Sequence, residues 1–154
     1  MKAKYKHYRI LGTAICLFAG ANFMAQAAEP EDIIKYRQNV MKAQAAHLAA
    51  AGAIIQGKVD YKNQLADHVK ALQATTKDVP SLFPKDSDFG ETKAQDNIWK
   101  NEGDFKKRAD DTRAKVNALA KAVAAKNSQN YSARFKDVAD SCKACHKDYR
   151  KEEN

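Results

Sequence analysis

Apolar positions along this chain recur every three or four residues, and no stretch alternates with period two. That spacing belongs to amphipathic helices whose apolar stripes face a shared core. Between about Pro30 and Ile55 the pairs Ile33/Ile34, Val40/Met41, His47/Leu48 and Ile54/Ile55 return every seven residues, with Arg37, Gln44 and Ala51 between them. Pro30 suits a first helical position, and Gly57 suits the turn that ends a helix. A second helix is predicted from about Asp60, read as its N-cap, to Thr76, with Leu65, Val69, Leu72 and Thr76 on one face. Pro80 and Pro84 then forbid continuation. The longest connection follows, from Lys77 to about Thr92, carrying Leu82, Phe83, Phe89 and Gly90. A loop of that length with aromatic residues is expected to pack over something. A third helix is predicted over about Lys93 to Ala125, with Phe105, Ala109, Thr112, Val116, Leu119 and Val123 in register and a bend at Gly103. The fourth begins near Ser128 and repeats Tyr131, Phe135, Val138, Cys142, Cys145 and Tyr149. Four helices with mostly short connections predict an all-α fold, an antiparallel up-down-up-down four-helix bundle.

The first 27 residues fall outside that pattern. Lys2, Lys4, Lys6 and Arg9 precede an apolar run from Ile10 to Met24, and Ala25-Gln26-Ala27 is a small-x-small cleavage site. This reads as a secretory signal peptide over residues 1–27, leaving 28–154 as a single domain. The apolar run is short for a membrane span, so no stable membrane anchor is expected. Cys16 lacks the small preceding residue of a lipoprotein site, because Ile15 stands there. Removing the leader changes the charge argument. The chain carries +8, and the leader supplies four of those charges. The remaining +4 gives little support to a nucleic-acid partner.

It also simplifies the cysteines. Only Cys142 and Cys145 remain, in the run Cys142-Lys143-Ala144-Cys145-His146. Two thiols and an imidazole at that spacing form the attachment site of one covalent haem c. Each sulfur can add across a porphyrin vinyl group, and His146 becomes the proximal axial ligand of the iron. Other uses fit less well. A zinc site needs two more ligands nearby. A thioredoxin-like pair belongs at a helix start after a strand. A disulfide between residues three apart on one helix has poor geometry. Arg150 lies one turn beyond His146, either beside its ring or as a solvated cation at the helix end.

The sixth iron position separates two chemistries. An open position binds small gases, whereas a filled one favours electron transfer. Met41, His47 and His68 are the candidate donors, and Met41 is the sole methionine after the leader. Met41 stands about ten residues, or ~15 Å, from its end of the bundle, and His146 about four, or ~6 Å. A tilted haem would bridge that offset. The other reading of Met41 is a gap-filling core residue.

From residue 28 on, the chain resembles the cytochrome c′ family of class II c-type cytochromes. The matching pieces are Tyr36-Arg37-Gln38, Leu82-Phe83-Pro84, Ile98-Trp99 and the stretch Cys142 to Arg150, in that order. In high-spin members of that family an apolar residue five after the first tyrosine leaves the sixth site vacant. Here that residue is Met41, which is similar to the low-spin cytochrome c-556 branch, where a methionine ligates the iron. The resemblance also implies that Arg37 contacts a haem propionate. Trp99, Phe83 and Tyr149 stand where aromatics line the haem or simply fill the core. The expectation is therefore a periplasmic carrier of single electrons, not an enzyme and without catalytic residues. Its low-spin haem would have His146 and Met41 as axial ligands. Its partners would be redox proteins, and it would be a monomer or a homodimer. The alternative is a five-coordinate or labile six-coordinate haem protein that binds nitric oxide or carbon monoxide.

Overall fold

The computed structural model describes residues 28–152. The leader expected over 1–27, with Cys16, lies outside the described residues. The described chain is helical: α1 (Pro30–Ile55), α2 (Leu65–Thr76), α3 (Asn97–Lys100), α4 (Glu102–Ala124) and α5 (Tyr131–Tyr149). Three single 3₁₀ turns join them, at Lys62–Gln64, Pro80–Leu82 and Ser128–Asn130. Among the described residues no helix is long and apolar enough to cross a membrane.

Local chemistry explains most boundaries. Pro30 opens α1, and Glu31 and Asp32 place negative charge on its first turn, where the helix dipole favours it. Gly57 closes α1 with φ of 69°, a conformation that costs glycine little. The start of α2 differs from expectation. Asp60 caps nothing there; a 3₁₀ turn over Lys62–Gln64 delivers the chain to Leu65 instead. The expected third helix is two helices. Asn101, at φ −131° and ψ 47°, separates one turn of α3 from α4, and Gly103 lies inside α4. The stretch before α3 is pulled out of helix by tertiary pairing. Ala94 bridges Arg150, Gln95 N–H donates to Tyr149 O at 3.0 Å, and Lys151 N–H donates to Lys93 O at 2.8 Å. Residues 93–95 therefore run extended along the end of α5.

The four long helices form the bundle. α1 packs on α2, α2 on α4 and α4 on α5, while α1 and α5 touch only sparsely. One apolar cluster joins all four through Ala51, Ile54, Leu65, Val69, Leu72, Val116, Leu119 and Val138. A second, at the end reached by the long loop, joins Ala94, Ile98, Phe105 and Tyr149, with Phe83 and Trp99 against it. The α1–α5 seam is the least closed edge of the bundle, and it positions the site.

Candidate haem site

The last helix carries the motif between the two clusters. Cys142 packs against the four-helix cluster and Cys145 against the aromatic one. Both are half-buried free thiols, not a disulfide. Burial raises the Cys142 pKa, and burial together with the neighbouring Cys142 pushes Cys145 up to about 11. Both are therefore neutral S–H groups at physiological pH. Among the described residues no three His, Cys, Asp or Glu side chains converge as a metal site. The donor set suits thioether formation to a porphyrin and does not suit zinc.

His146 is exposed. Desolvation by the surrounding chain, and then the charge of Arg150, lower its pKa. That favours the neutral imidazole, the form that binds iron. Beside it runs an open groove of about 460 Å³ lined by Lys143, Lys147, Arg150, Lys151 and Glu152.

The opposite wall is α1, which meets α5 at Gly52 and Phe135. A Cβ on Gly52 would lie 2.6 Å from Cζ of Phe135, so the two helices approach closely there. The helices run antiparallel. Met41 is eleven residues before Gly52, and His146 is eleven residues after Phe135. Eleven residues make about three helical turns and a rise of ~16 Å. Met41 therefore shares the face of Gly52, and His146 shares the face of Phe135. Helical rise from that contact brings the two to about the same level across the seam.

The seam is also short of apolar cover. Buried residues of α1 are Ile34 and Arg37 near its start and Ala51, Gly52 and Ile54 near its end. From Gln38 to Ala50 no residue is buried, although Val40, Met41 and Leu48 stand in that stretch. Met41 is half-buried and belongs to neither cluster. An apolar stripe left half-covered opposite two neutral thiols and a neutral imidazole fits a flat apolar group such as haem. Cys142, Cys145 and His146 would hold it, with Met41 facing the opposite side.

The other candidate donors are elsewhere. His47 and His68 face each other between α1 and α2, Nδ1 to Nδ1 at 3.1 Å. His47 precedes Gly52 by five residues, a rotation of ~140° away from the seam.

Arg37 is only 3% exposed. Nη1 donates to Ser87 Oγ at 2.9 Å and to Leu82 O at 3.4 Å, and Nη2 donates to Ser87 O at 2.9 Å and Thr92 Oγ1 at 2.8 Å. Its guanidinium also lies 4.6 Å from the centroid of Phe83. Burial lowers its pKa, but an arginine so placed keeps its charge. In the described structure Arg37 straps the long loop to α1. Ser87 and Thr92 were missed from the sequence because a loop serine or threonine carries no periodic signal. Phe83, Trp99 and Tyr149 are core residues of the loop end. Phe83 stacks edge-on with Phe105 at 5.0 Å, as does Tyr149 at 5.1 Å. Trp99 Nε1 donates to Phe83 O at 3.2 Å and to Pro84 O at 3.0 Å.

A four-helix bundle with a terminal Cys-x-x-Cys-His helix and an open opposite seam defines a class: helical c-type haem proteins. A family model described as Cytochrome C' matches residues 32–150. Cytochrome c′ of Rhodospirillum rubrum is 30% identical over 128 residues, covering 82% of this chain and 87% of that one. Cytochrome c-556 of Rhodopseudomonas palustris is 27% identical over 160 residues, covering 94% and 96%. A nitric oxide complex of a point variant of cytochrome c′ from Alcaligenes xylosoxidans superposes with TM-score 0.76 at 29% identity, over 83% of this chain and all of that one. The chain belongs to the cytochrome c′ family, and its cofactor is haem c.

Proposed function

We propose that this protein binds a diatomic gas of the nitric oxide or carbon monoxide class at its haem iron, with Met41 as the residue that must give way. The observation that carries this reading is the half-buried Met41 on a stretch of α1, Gln38 to Ala50, in which no residue is buried. The nitric oxide complex of the Alcaligenes relative supports it. When bound, haem would supply an iron centre able to take a gas, with His146 as the residue that would hold the iron from α5. Cys142 and Cys145 fix the ring to α5. His146 offers a neutral nitrogen. Met41 has three rotatable bonds and no packing in either cluster, so its thioether can swing aside at low cost. Export by the leader over 1–27 would place the protein in the periplasm.

A second reading has support of its own. Met41 is the one thioether on the seam, and a bound thioether favours the ferrous state of an electron carrier. The similarity to cytochrome c-556 points the same way. In that reading Met41 stays ligated, and the partners are redox proteins. A propionate contact for Arg37 belongs to both readings and would use the Nε–H, since the terminal nitrogens already serve the loop.

Absorption spectra of oxidised and reduced holoprotein, with and without carbon monoxide, separate the two. The gas-binding reading expects carbon monoxide to shift the reduced spectrum fully, and Met41→Ala to speed that binding. A reduced spectrum that carbon monoxide leaves unchanged, together with a far-red methionine–ferric band lost in Met41→Ala, would overturn it in favour of the carrier.

A further inference from the structure

His47 on α1 and His68 on α2 form a pair that the haem site does not use. Their Nδ1 atoms are 3.1 Å apart, their ring centroids 5.4 Å apart, and the rings are tilted by 49°. Both side chains are half-buried, so one side of the pair meets solvent. The α1–α2 interface that carries them is one of the well-packed edges of the bundle. Two packed helices therefore already hold two imidazole nitrogens side by side.

We infer that His47 and His68 form a two-nitrogen binding site for a divalent transition-metal ion of the zinc or copper class. Imidazole suits these ions. Nitrogens each about 2.0–2.1 Å from one ion, at angles of about 90–109°, stand about 2.8–3.4 Å apart. The observed separation falls in that interval. Without metal, one Nδ1–H donates to the other Nδ1. With metal, both rings carry their proton on Nε2 and turn both Nδ1 lone pairs to the ion. Solvent molecules complete the coordination from the open side. The ion would clip α1 to α2 between two histidines twenty-one positions apart.

Zinc is the suitable probe because it has no redox chemistry and cannot exchange electrons with haem. In exported, haem-loaded protein His146 is on the iron, so His47 and His68 are the remaining imidazoles after the leader. Titration calorimetry with Zn²⁺ on chelator-treated holoprotein should give saturable binding near one equivalent. The unfolding temperature should rise with Zn²⁺, because the folded state alone presents the site. Losing even an outer-shell partner costs a metal site about 10–100-fold, so His47→Gln and His68→Gln should each weaken binding by at least about tenfold. Both variants should keep the parent Soret band, which shows that they fold and hold haem. Absence of saturable binding, parent-like affinity in both variants, or a Soret change on adding Zn²⁺ would each overturn the inference. The test is independent of which gas or electron chemistry the iron performs.

Discussion

Arg37 holds Ser87 with both ends of its guanidinium, Nη1 to the hydroxyl and Nη2 to the carbonyl, each at 2.9 Å. Ser87 is fully buried, so nothing but Arg37 and the adjacent chain satisfies it. The pair joins α1 to the loop that covers the aromatic cluster. Hydrogen bonds to charged groups contribute about 1.5–3 kcal/mol each, and a buried partner left unmatched adds its own penalty. Arg37→Ala should therefore lower unfolding stability by about 3–5 kcal/mol in denaturant titration of the holoprotein. Arg37→Lys should recover only part, since an ammonium cannot span two acceptors and lie flat on Phe83. A loss below about 1 kcal/mol for Arg37→Ala would show that the strap is not stabilising.

The contact of Gly52 with Phe135 makes a sharper test, because it sets the register of the haem seam. Alanine favours helix over glycine by about 1 kcal/mol. At this position its methyl would press on the tip of the Phe135 ring, and overpacking costs about 1–3 kcal/mol. Gly52→Ala should lower stability by up to about 2 kcal/mol, and the cost should reverse in a Phe135→Ala background. A double-mutant cycle with no coupling would mean the ring turns aside freely.

The two thiols offer a direct check on attachment. Each packs on a different cluster, so removing one leaves the other in place. Cys142→Ala and Cys145→Ala should each keep haem through denaturation by a single thioether, with a pyridine haemochrome band shifted toward that of a free vinyl. The double variant should release all haem into acidified organic solvent. Haem that washes out of either single variant would show that both sulfurs are needed to capture it.

How much of this was legible in the sequence follows from which forces act locally. α1 could be read to its ends because Pro30 and Gly57 are local signals. The loss of helix over residues 93–95 could not, because they are held by α5, some fifty positions away. Arg37 was visible as a charge on an apolar stripe, but its partners Ser87 and Thr92 lie in a loop without periodicity. Met41 and His146 were both visible, yet their level placement follows from Gly52 meeting Phe135, a packing fact between two helices. Of the three candidate donors to the iron, composition treated His47 and His68 as rivals of Met41. The structure turns them toward each other.

Tyr149 and Asp104 tie the end of α5 to the start of α4, with the hydroxyl donating to Oδ2 at 2.7 Å. The tyrosine ring is buried and the carboxylate is exposed. Burial first, and then the bond and charge of Asp104, push the Tyr149 pKa up to about 12. The same hydrogen bond is the main cause that lowers the pKa of Asp104, helped by Arg108. The two signs give two windows. A raised tyrosine pKa contributes stability below the unfolded value of about 10. That contribution disappears as pH rises toward about 12. A depressed aspartate pKa contributes stability above the ordinary carboxylate range. That part is lost as pH falls through the depressed value. Ultraviolet titration of the holoprotein should therefore show one tyrosine step near 12, and Tyr149→Phe should remove that step. Asp104→Asn should move it only part of the way back, because burial of the ring remains. If Asp104→Asn returned Tyr149 fully to the ordinary tyrosine range, the carboxylate rather than burial would be the dominant cause.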